Sequence, residues 1–273
     1  MPYRIGVVGA GSMGAQITAL ALTRSLDVTL CSRRPPDEAR AAVQKVLDRY
    51  APESADALSR LRTAASPDPL AECDLVIESI IESLPEKRRL FAELDARCPA
   101  ATRFASNTSV LGGAVFSELP VARRARSLVL HFFNPVFRPE LIEINHQPET
   151  AAEVRAAAHA FVAALGKKPI ELANINGGVV SRLVLLGINE AAHLAERGVP
   201  PERIDQAMQW GANHPMGPLR LADFVGLDVV YDNLHYLHEL EGDARFKPAP
   251  LLAEHVTAGR LGRKAKRGFY VYD

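Results

Sequence analysis

An apolar stretch from Arg126 to Leu130 ends at a histidine, His131, and the next, Leu141-Ile142-Glu143-Ile144, encloses a carboxylate. A buried Glu143 needs a partner, because an unpaired charge in an apolar strand is costly. Two neighbouring strands would bring His131 to it across a sheet. The carboxylate would then fix the imidazole tautomer and prepare the ring as a general base, able to take the proton of a hydroxyl group. A plainer reading also fits, with His131 as a satisfied core histidine and Glu143 capping a loop. Residue types and spacing leave both open.

Two further stretches have chemical potential. Asn107-Thr108-Ser109 follow the strand Thr102–Ser106. Small polar residues just past a strand end lie on the ligand edge of an open α/β sheet, though the same residues also build ordinary turns. Near the start, Gly9, Gly11 and Gly14 fit G-x-G-x-x-G, with Ser12 and Met13 between the last two. The apolar run Ile5-Gly6-Val7-Val8 precedes them and a helix-like stretch, Ala15 to Arg24, follows. Gly9 allows a tight turn, Gly11 lets a pyrophosphate approach the backbone at a helix N-terminus, and Gly14 lets helix and strand pack closely. The stretch predicts a dinucleotide site.

The end of the second strand, Val28–Cys31, bears on which dinucleotide. NAD-binding units place Asp or Glu here to accept from the ribose 2'-hydroxyl. This chain has Ser32-Arg33-Arg34. A carboxylate would repel a 2'-phosphate, whereas serine donates to one and an arginine fork grips it. The expectation is NAD(P), with NADP favoured over NAD.

The elements that must position these residues alternate at first. Strands are predicted at Leu75–Glu78, Thr102–Ser106, Arg126–Leu130, Leu141–Ile144 and Pro169–Leu172. Helices are predicted at Asp37–Tyr50, Ala55–Arg62, Leu84–Ala96 and Ala151–Leu165. From Gly177 the pattern changes to helices alone: Val179–Glu196, one from Pro200 through Met208, Leu227–Leu240 and Leu251–Ala258, with Gly211–Pro218 as a turn. The fold class is α/β: an N-terminal Rossmann-type doubly wound sheet over residues 1–175, followed by a smaller all-helical domain over residues 176–273.

Composition excludes several alternatives. The 273 residues are 48% hydrophobic and 23% charged, with a formal net charge of zero, so nothing points to nucleic acid or an anionic membrane as partner. Cys31, Cys73 and Cys98 form no C-x-x-C, which argues against a metal site or a disulfide framework. No apolar run approaches a membrane span. The first strand follows the N-terminus so closely that no signal peptide is expected. These features together read as a cytoplasmic protein.

From its first residues to its last the chain resembles the L-3-hydroxyacyl-CoA dehydrogenase family. The stretches that carry the resemblance are Gly9 to Gly14, Val76–Glu82, Ala105–Ser109, His131-Phe132-Phe133-Asn134-Pro135, Gly211 to Pro218, Asp223–Asp228 and Gly268-Phe269-Tyr270. The resemblance implies an oxidoreductase that interconverts (S)-3-hydroxyacyl-CoA and 3-oxoacyl-CoA. It implies His131 as catalytic base, Glu143 as its partner and Ser109 as the serine bonded to the substrate's 3-oxygen. It places Glu82, Lys87, Asn134 and Lys264, with Asn107, around the dinucleotide, and it implies a homodimer formed through the C-terminal helices.

Three departures stand out. Ser32 replaces the acidic ribose residue. Ser181 stands where the family has a substrate-contacting asparagine, and its shorter side chain needs a water to reach the same atom. The segment before Pro67 is short, so the lysines that hold the CoA nucleotide in the family reduce here to Lys45, with Arg40, Arg49, Arg60 and Arg62 as substitutes. The last two departures motivate an alternative substrate, an acyl-carrier-protein thioester or a free 3-hydroxy acid. A non-catalytic cofactor-binding protein is the alternative of another class.

Overall fold

The computed structural model describes residues 3–273. They divide into two compact units, the first ending at Ile175 and the second beginning at Asn176.

The first unit runs β1 (Arg4–Val8), α1 (Ser12–Thr23), β2 (Asp27–Cys31), α2 (Pro36–Tyr50), β3 (Leu61–Ala64), β4 (Leu75–Glu78), α3 (Leu84–Arg97), β5 (Arg103–Ser106), α4 (Val121–Arg124), β6 (Ser127–Phe132), β7 (Leu141–His146), α5 (Ala152–Ala164) and β8 (Lys168–Ala173). The sheet order is β3-β2-β1-β4-β5-β6-β7-β8. Strands β1 to β6 are parallel, β7 turns antiparallel to β6, and β8 runs parallel to β7. The expected Rossmann-type architecture is present, and the order reverses between β1 and β4. Ligands bind outside the carboxyl ends of strands at such a switch point.

Central strands are apolar almost throughout because a parallel sheet is covered on both faces. All four residues of β4 and all six of β6 are buried. Ile5, Val7, Ile77, Leu130 and Ile142 pack with Ile17, Val43 and Phe161 in one core, each contributing roughly 1.5–3 kcal/mol of transfer free energy. Helix starts follow local chemistry: α2 and α3 carry proline in their first turn, where a missing N–H costs nothing.

The second unit contains α6 (Val179–Glu196), α7 (Pro201–Ala212), α8 (Pro218–Val225), α9 (Leu227–Glu241) and α10 (Pro250–Thr257). Helix α8 packs against α6, α7 and α9. Its only β pairing among the described residues is a pair of isolated bridges, Gly262 to Arg267 and Arg267 to Val271, which fold the tail back on itself.

Several predicted elements differ from those observed. Residues 61 and 62 are strand, not helix: a six-residue 3-10 helix ends at Arg60 and β3 begins at Leu61. In this short edge strand only Leu61 is buried, so it carries no apolar run to detect. Helix α7 continues through Gly211 to Ala212, where Asn213 ends it in the left-handed conformation at φ 56°. The expected turn from Gly211 is therefore shorter, and α8 begins at Pro218. His131 lies inside β6, one residue before its end, rather than just beyond the strand.

Candidate active site

The antiparallel register of β6 on β7 sets His131 directly opposite Glu143. Directly opposed residues of an antiparallel pair project to the same face, which lets their side chains meet. The imidazole Nδ1 lies 2.9 Å from Glu143 Oε2, with side chains 7% and 1% exposed. The Phe133 ring sits 4.4 Å from the imidazole, centroid to centroid. With Nδ1 on the carboxylate, Nε2 is the nitrogen through which the ring can exchange a proton with another molecule. The two side chains that sequence spacing could only pair conditionally therefore meet across the β6–β7 pair.

The polar loop after β5 is tied to this corner. The Asn107 side-chain oxygen accepts from the Phe132 N–H at 2.9 Å, and its amide donates to Ser79 Oγ at 3.3 Å. Asn107 thus links the ends of β4, β5 and β6. The Ser109 N–H donates to Glu82 Oε1 at 2.8 Å. The Asn134 oxygen accepts from the Gln16 amide at 3.1 Å, and Gln16 in turn accepts from the Val136 N–H at 2.8 Å. A residue of α1 therefore pins the loop after β6, whose Asn134–Pro135 bond is cis.

The glycine turn fits a dinucleotide. Gly9 has φ +108°, and a Cβ there would stand 2.4 Å from the Ser79 carbonyl oxygen. A Cβ on Gly14 would stand 1.8 Å from the Gly9 oxygen, whereas one on Gly11 meets no protein atom within 4 Å. Two glycines are thus required by the fold and the third keeps the backbone open at the start of α1. Gly11 and Ser12 are exposed, and α1 has neither a side-chain cap nor an acidic residue in its first turn among the described residues. Such a helix start attracts a pyrophosphate. Met13 is half-buried beside it, packed on the core.

Beyond β2, the Ser32 hydroxyl faces its own turn. It donates to the Arg34 carbonyl at 3.3 Å and accepts from the Arg34 N–H at 3.2 Å. Arg33 and Arg34 are exposed, and neither forms a salt bridge among the described residues.

Two of the residues expected around the dinucleotide are joined to each other. Lys87 is 1% exposed and lies between Glu78, at 2.6 Å, and Glu82, at 3.2 Å. Burial works against its charge, but the two carboxylates outweigh that and hold the ammonium above its usual range. Glu82 likewise turns its carboxylate onto the loop, accepting from Thr108 Oγ1 and from the Ser109 and Val110 N–H groups.

Ser181 and Lys264 belong to the second unit. Ser181 is half-buried in the first turn of α6, and Lys264 pairs with Asp228 on α9. Of the proposed CoA-holding residues, Arg40 donates to the Leu58 and Leu61 carbonyls, Arg60 donates to the Leu22 carbonyl and Arg62 pairs with Glu72. These three are committed to the chain's own structure. Lys45 and Arg49, one helical turn apart on α2, remain exposed.

Reading the residues missed Glu78 and Gln16. Both had a detectable signal: a carboxylate at the end of an apolar strand and an amide inside an apolar helix. Each needs a partner for the reason that Glu143 does.

Comparison with known proteins identifies the family of both units. Residues 4–175 match the family described as 3-hydroxyacyl-CoA dehydrogenase, NAD binding domain, and residues 177–272 match the 3-hydroxyacyl-CoA dehydrogenase, C-terminal domain. A 3-hydroxybutyryl-CoA dehydrogenase of Bradyrhizobium diazoefficiens is 39% identical over 98% of this chain and 95% of that protein. The crystal structure of (S)-3-hydroxybutyryl-CoA dehydrogenase PaaH1 from Ralstonia eutropha is 36% identical, with a TM-score of 0.90 and both chains fully covered. FadB2 of M. tuberculosis is 33% identical, with a TM-score of 0.92 over 100% of this chain and 99% of its own.

Proposed function

The chain belongs to the 3-hydroxyacyl-CoA dehydrogenase family, and from that premise we propose that it interconverts an (S)-3-hydroxyacyl-CoA and its 3-oxoacyl form with His131 as general base. The observation that carries the proposal is the buried 2.9 Å contact between His131 Nδ1 and Glu143 Oε2. Glu143 holds the ring so that Nε2 receives the 3-hydroxyl proton. In the reverse direction the same nitrogen returns it. The Ser109 hydroxyl donates to the substrate's 3-oxygen and stabilises the charge that develops there. Gly9, Gly11 and Gly14 with the start of α1 hold the pyrophosphate, and Asn107 and Asn134 border the cofactor side of the loops. The bound nicotinamide supplies the hydride acceptor. Proximity of base, oxygen donor and hydride acceptor accounts for most of the acceleration.

The cofactor reading is NADP(H) before NAD(H). What supports it is the lack of an acidic residue after β2 and the two exposed guanidinium groups of Arg33 and Arg34. A homodimer formed through the second unit is part of the same proposal. Leu183 at 66%, Trp210 at 77% and Phe224 at 56% exposure, on α6, α7 and α8 of this unit, support it. Light scattering reporting a monomer would remove that part.

The deciding experiment is the initial rate of NADPH and NADH oxidation, in parallel, with acetoacetyl-CoA. Faster NADPH oxidation supports the reading in full. Faster NADH oxidation keeps the reaction and removes the cofactor preference. No turnover with either overturns the acyl-CoA assignment. The same chemistry on an acyl-carrier-protein thioester or a free 3-hydroxy acid is the second reading, motivated by the engagement of Arg40, Arg60 and Arg62 within the fold. Matched CoA, carrier-protein and free-acid substrates separate the two.

A further inference from the structure

Helix α1 carries one amide side chain, Gln16, and it is only 6% exposed between the buried Ala15 and Ile17. A carboxamide in such a place needs partners, because leaving it unpaired is costly. Gln16 meets four groups, two at the start of α1 and two in the loop after β6. Its oxygen accepts from the Val136 N–H at 2.8 Å. Its nitrogen lies 3.1 Å from the Ser12 carbonyl oxygen, 3.2 Å from Ser12 Oγ and 3.1 Å from Asn134 Oδ1. Val136 is itself buried, so losing this acceptor would leave its N–H unmatched.

These contacts have a fixed polarity. A main-chain N–H can only donate, so the Gln16 atom that faces Val136 is the oxygen, and the atom that faces Ser12 and Asn134 is the nitrogen. That nitrogen has two hydrogens and accepts nothing. Asn134 therefore meets it with its own oxygen, which turns the Asn134 amide nitrogen and its two hydrogens to the other side. The Ser12 hydroxyl is held in the same way: it accepts from Gln16, and its own proton is left to donate. Ser12 and Asn134 are both exposed. Among the described residues, neither the Ser12 hydroxyl nor the Asn134 amide nitrogen donates to a protein group.

Resting on the function proposed above, we propose that Gln16 is a positioning residue that sets Ser12 and Asn134 as outward donors to the dinucleotide and pins the loop after β6 to the cofactor turn. A pyrophosphate offers acceptors only, so side chains that flank it strengthen binding by donating. Gln16 acts through these two side chains. Glutamate at this position would still accept from Val136, but it would donate to neither partner. It would also bring a negative charge to a helix start that attracts anions. The amide is thus the group that serves both ends: an acceptor for the loop and a donor that orients the cradle.

The test reads three quantities: the dissociation constant of the preferred dinucleotide by titration calorimetry, amide hydrogen exchange at Val136, and kcat with acetoacetyl-CoA at saturating dinucleotide. Wild type is compared with Gln16→Met, Asn134→Ala and the double substitution Gln16→Met/Asn134→Ala. Gln16→Glu is added in case the methionine variant does not fold, since it keeps the Val136 acceptor. Gln16→Met should weaken dinucleotide binding by about tenfold, speed exchange at Val136 and change kcat by less than about fivefold. Gln16→Glu should lose at least as much affinity while Val136 stays protected. The double variant should lose less than the product of the two single losses, because Asn134 is already misaligned once Gln16 is gone. Affinity within about twofold of wild type in a folded Gln16→Met or Gln16→Glu variant overturns the proposal. So does a double variant whose loss equals that product, which would make Gln16 a packing residue. Wild type that binds the dinucleotide without turning over acetoacetyl-CoA removes the functional reading alone, and the affinities still decide the role of Gln16.

Discussion

Both units bury carboxylates, and they satisfy them differently. In the second unit Asp205 accepts from the Leu219 and Arg220 N–H groups at 2.9 and 3.0 Å and from the Tyr270 hydroxyl at 2.7 Å. Asp223 accepts from the Phe269 and Tyr270 N–H groups and the Tyr272 hydroxyl, each at 3.0 Å. Glycines make room for them. A Cβ on Gly217 would stand 2.2 Å from Asp205 and one on Gly268 would stand 2.0 Å from Asp223. Asp205 thus caps α8 from a neighbouring helix, because Gly217 has no side chain to do so, and Asp223 fastens the tail.

In the first unit the side-chain partners are instead nitrogen bases: Lys87 for Glu78 and His131 for Glu143. Burial and full hydrogen bonding are common to both units and do not mark chemistry. What marks it is a partner that can change its protonation and still offer an atom to another molecule. Lys87, with its ammonium held between Glu78 and Glu82, fails the second condition. His131, held at Nδ1 alone by the carboxylate, meets both.

The largest effect should come from that imidazole. His131→Ala should lower kcat by about 10³-fold or more in protein that circular dichroism reports as folded, with a lowered thermal midpoint because Glu143 loses its buried partner. A folded variant with a near-normal rate would break the comparison at its centre. Glu143→Gln should follow at about 10²- to 10³-fold, because the ring loses the group that fixes its tautomer.

Asp205→Ala should act on stability instead, by about 3 kcal/mol, since it leaves two N–H groups and a hydroxyl without their charged acceptor. Denaturant midpoints report this. Turnover per folded molecule, measured well below the melting temperature, should stay within about threefold; a loss matching that of Glu143→Gln would erase the distinction between the units.

A smaller effect concerns alkaline pH. Burial, and then the Asp223 charge and hydrogen bond, push the Tyr272 hydroxyl from 10 to about 12. The folded state holds that proton more tightly than the unfolded chain does. Its contribution to stability is therefore complete below pH 10 and is lost as pH rises toward about 12. Tyr272→Phe should flatten this part of the stability profile. The smallest effect is on the thiols. Burial pushes Cys31 and Cys73 to about 11 and raises Cys98, so a thiol reagent at pH 8 should label all three only after denaturation.

Much of this was legible from residue order. Alternating apolar runs and the glycine triplet announced the sheet and its first turn, and β4 and α6 lie where local pattern puts them. The strand β3 was not legible, because an edge strand with one buried residue leaves no periodic trace. Helix α7 ran past Gly211 because packing outweighs the modest penalty of an interior glycine. The partners of Lys87 were not legible either. Its position next to cofactor loops is visible in sequence, but the direction of its side chain is not.

By itself, the sequence determined the elements whose cause is local: apolar strands, proline-led helix starts, and a turn that only glycines can make. It also placed a histidine and a carboxylate in adjacent strands. Only the tertiary structure decided which of its polar groups meet. The β6–β7 register put His131 opposite Glu143, and a shift of one residue would have turned each side chain to the other face. The fold likewise closed Lys87 between two carboxylates, turned Ser32 onto its own loop and hid Asp205 and Asp223 against glycines. Each of those outcomes depends on distances between residues far apart in the chain, and such distances are fixed by packing.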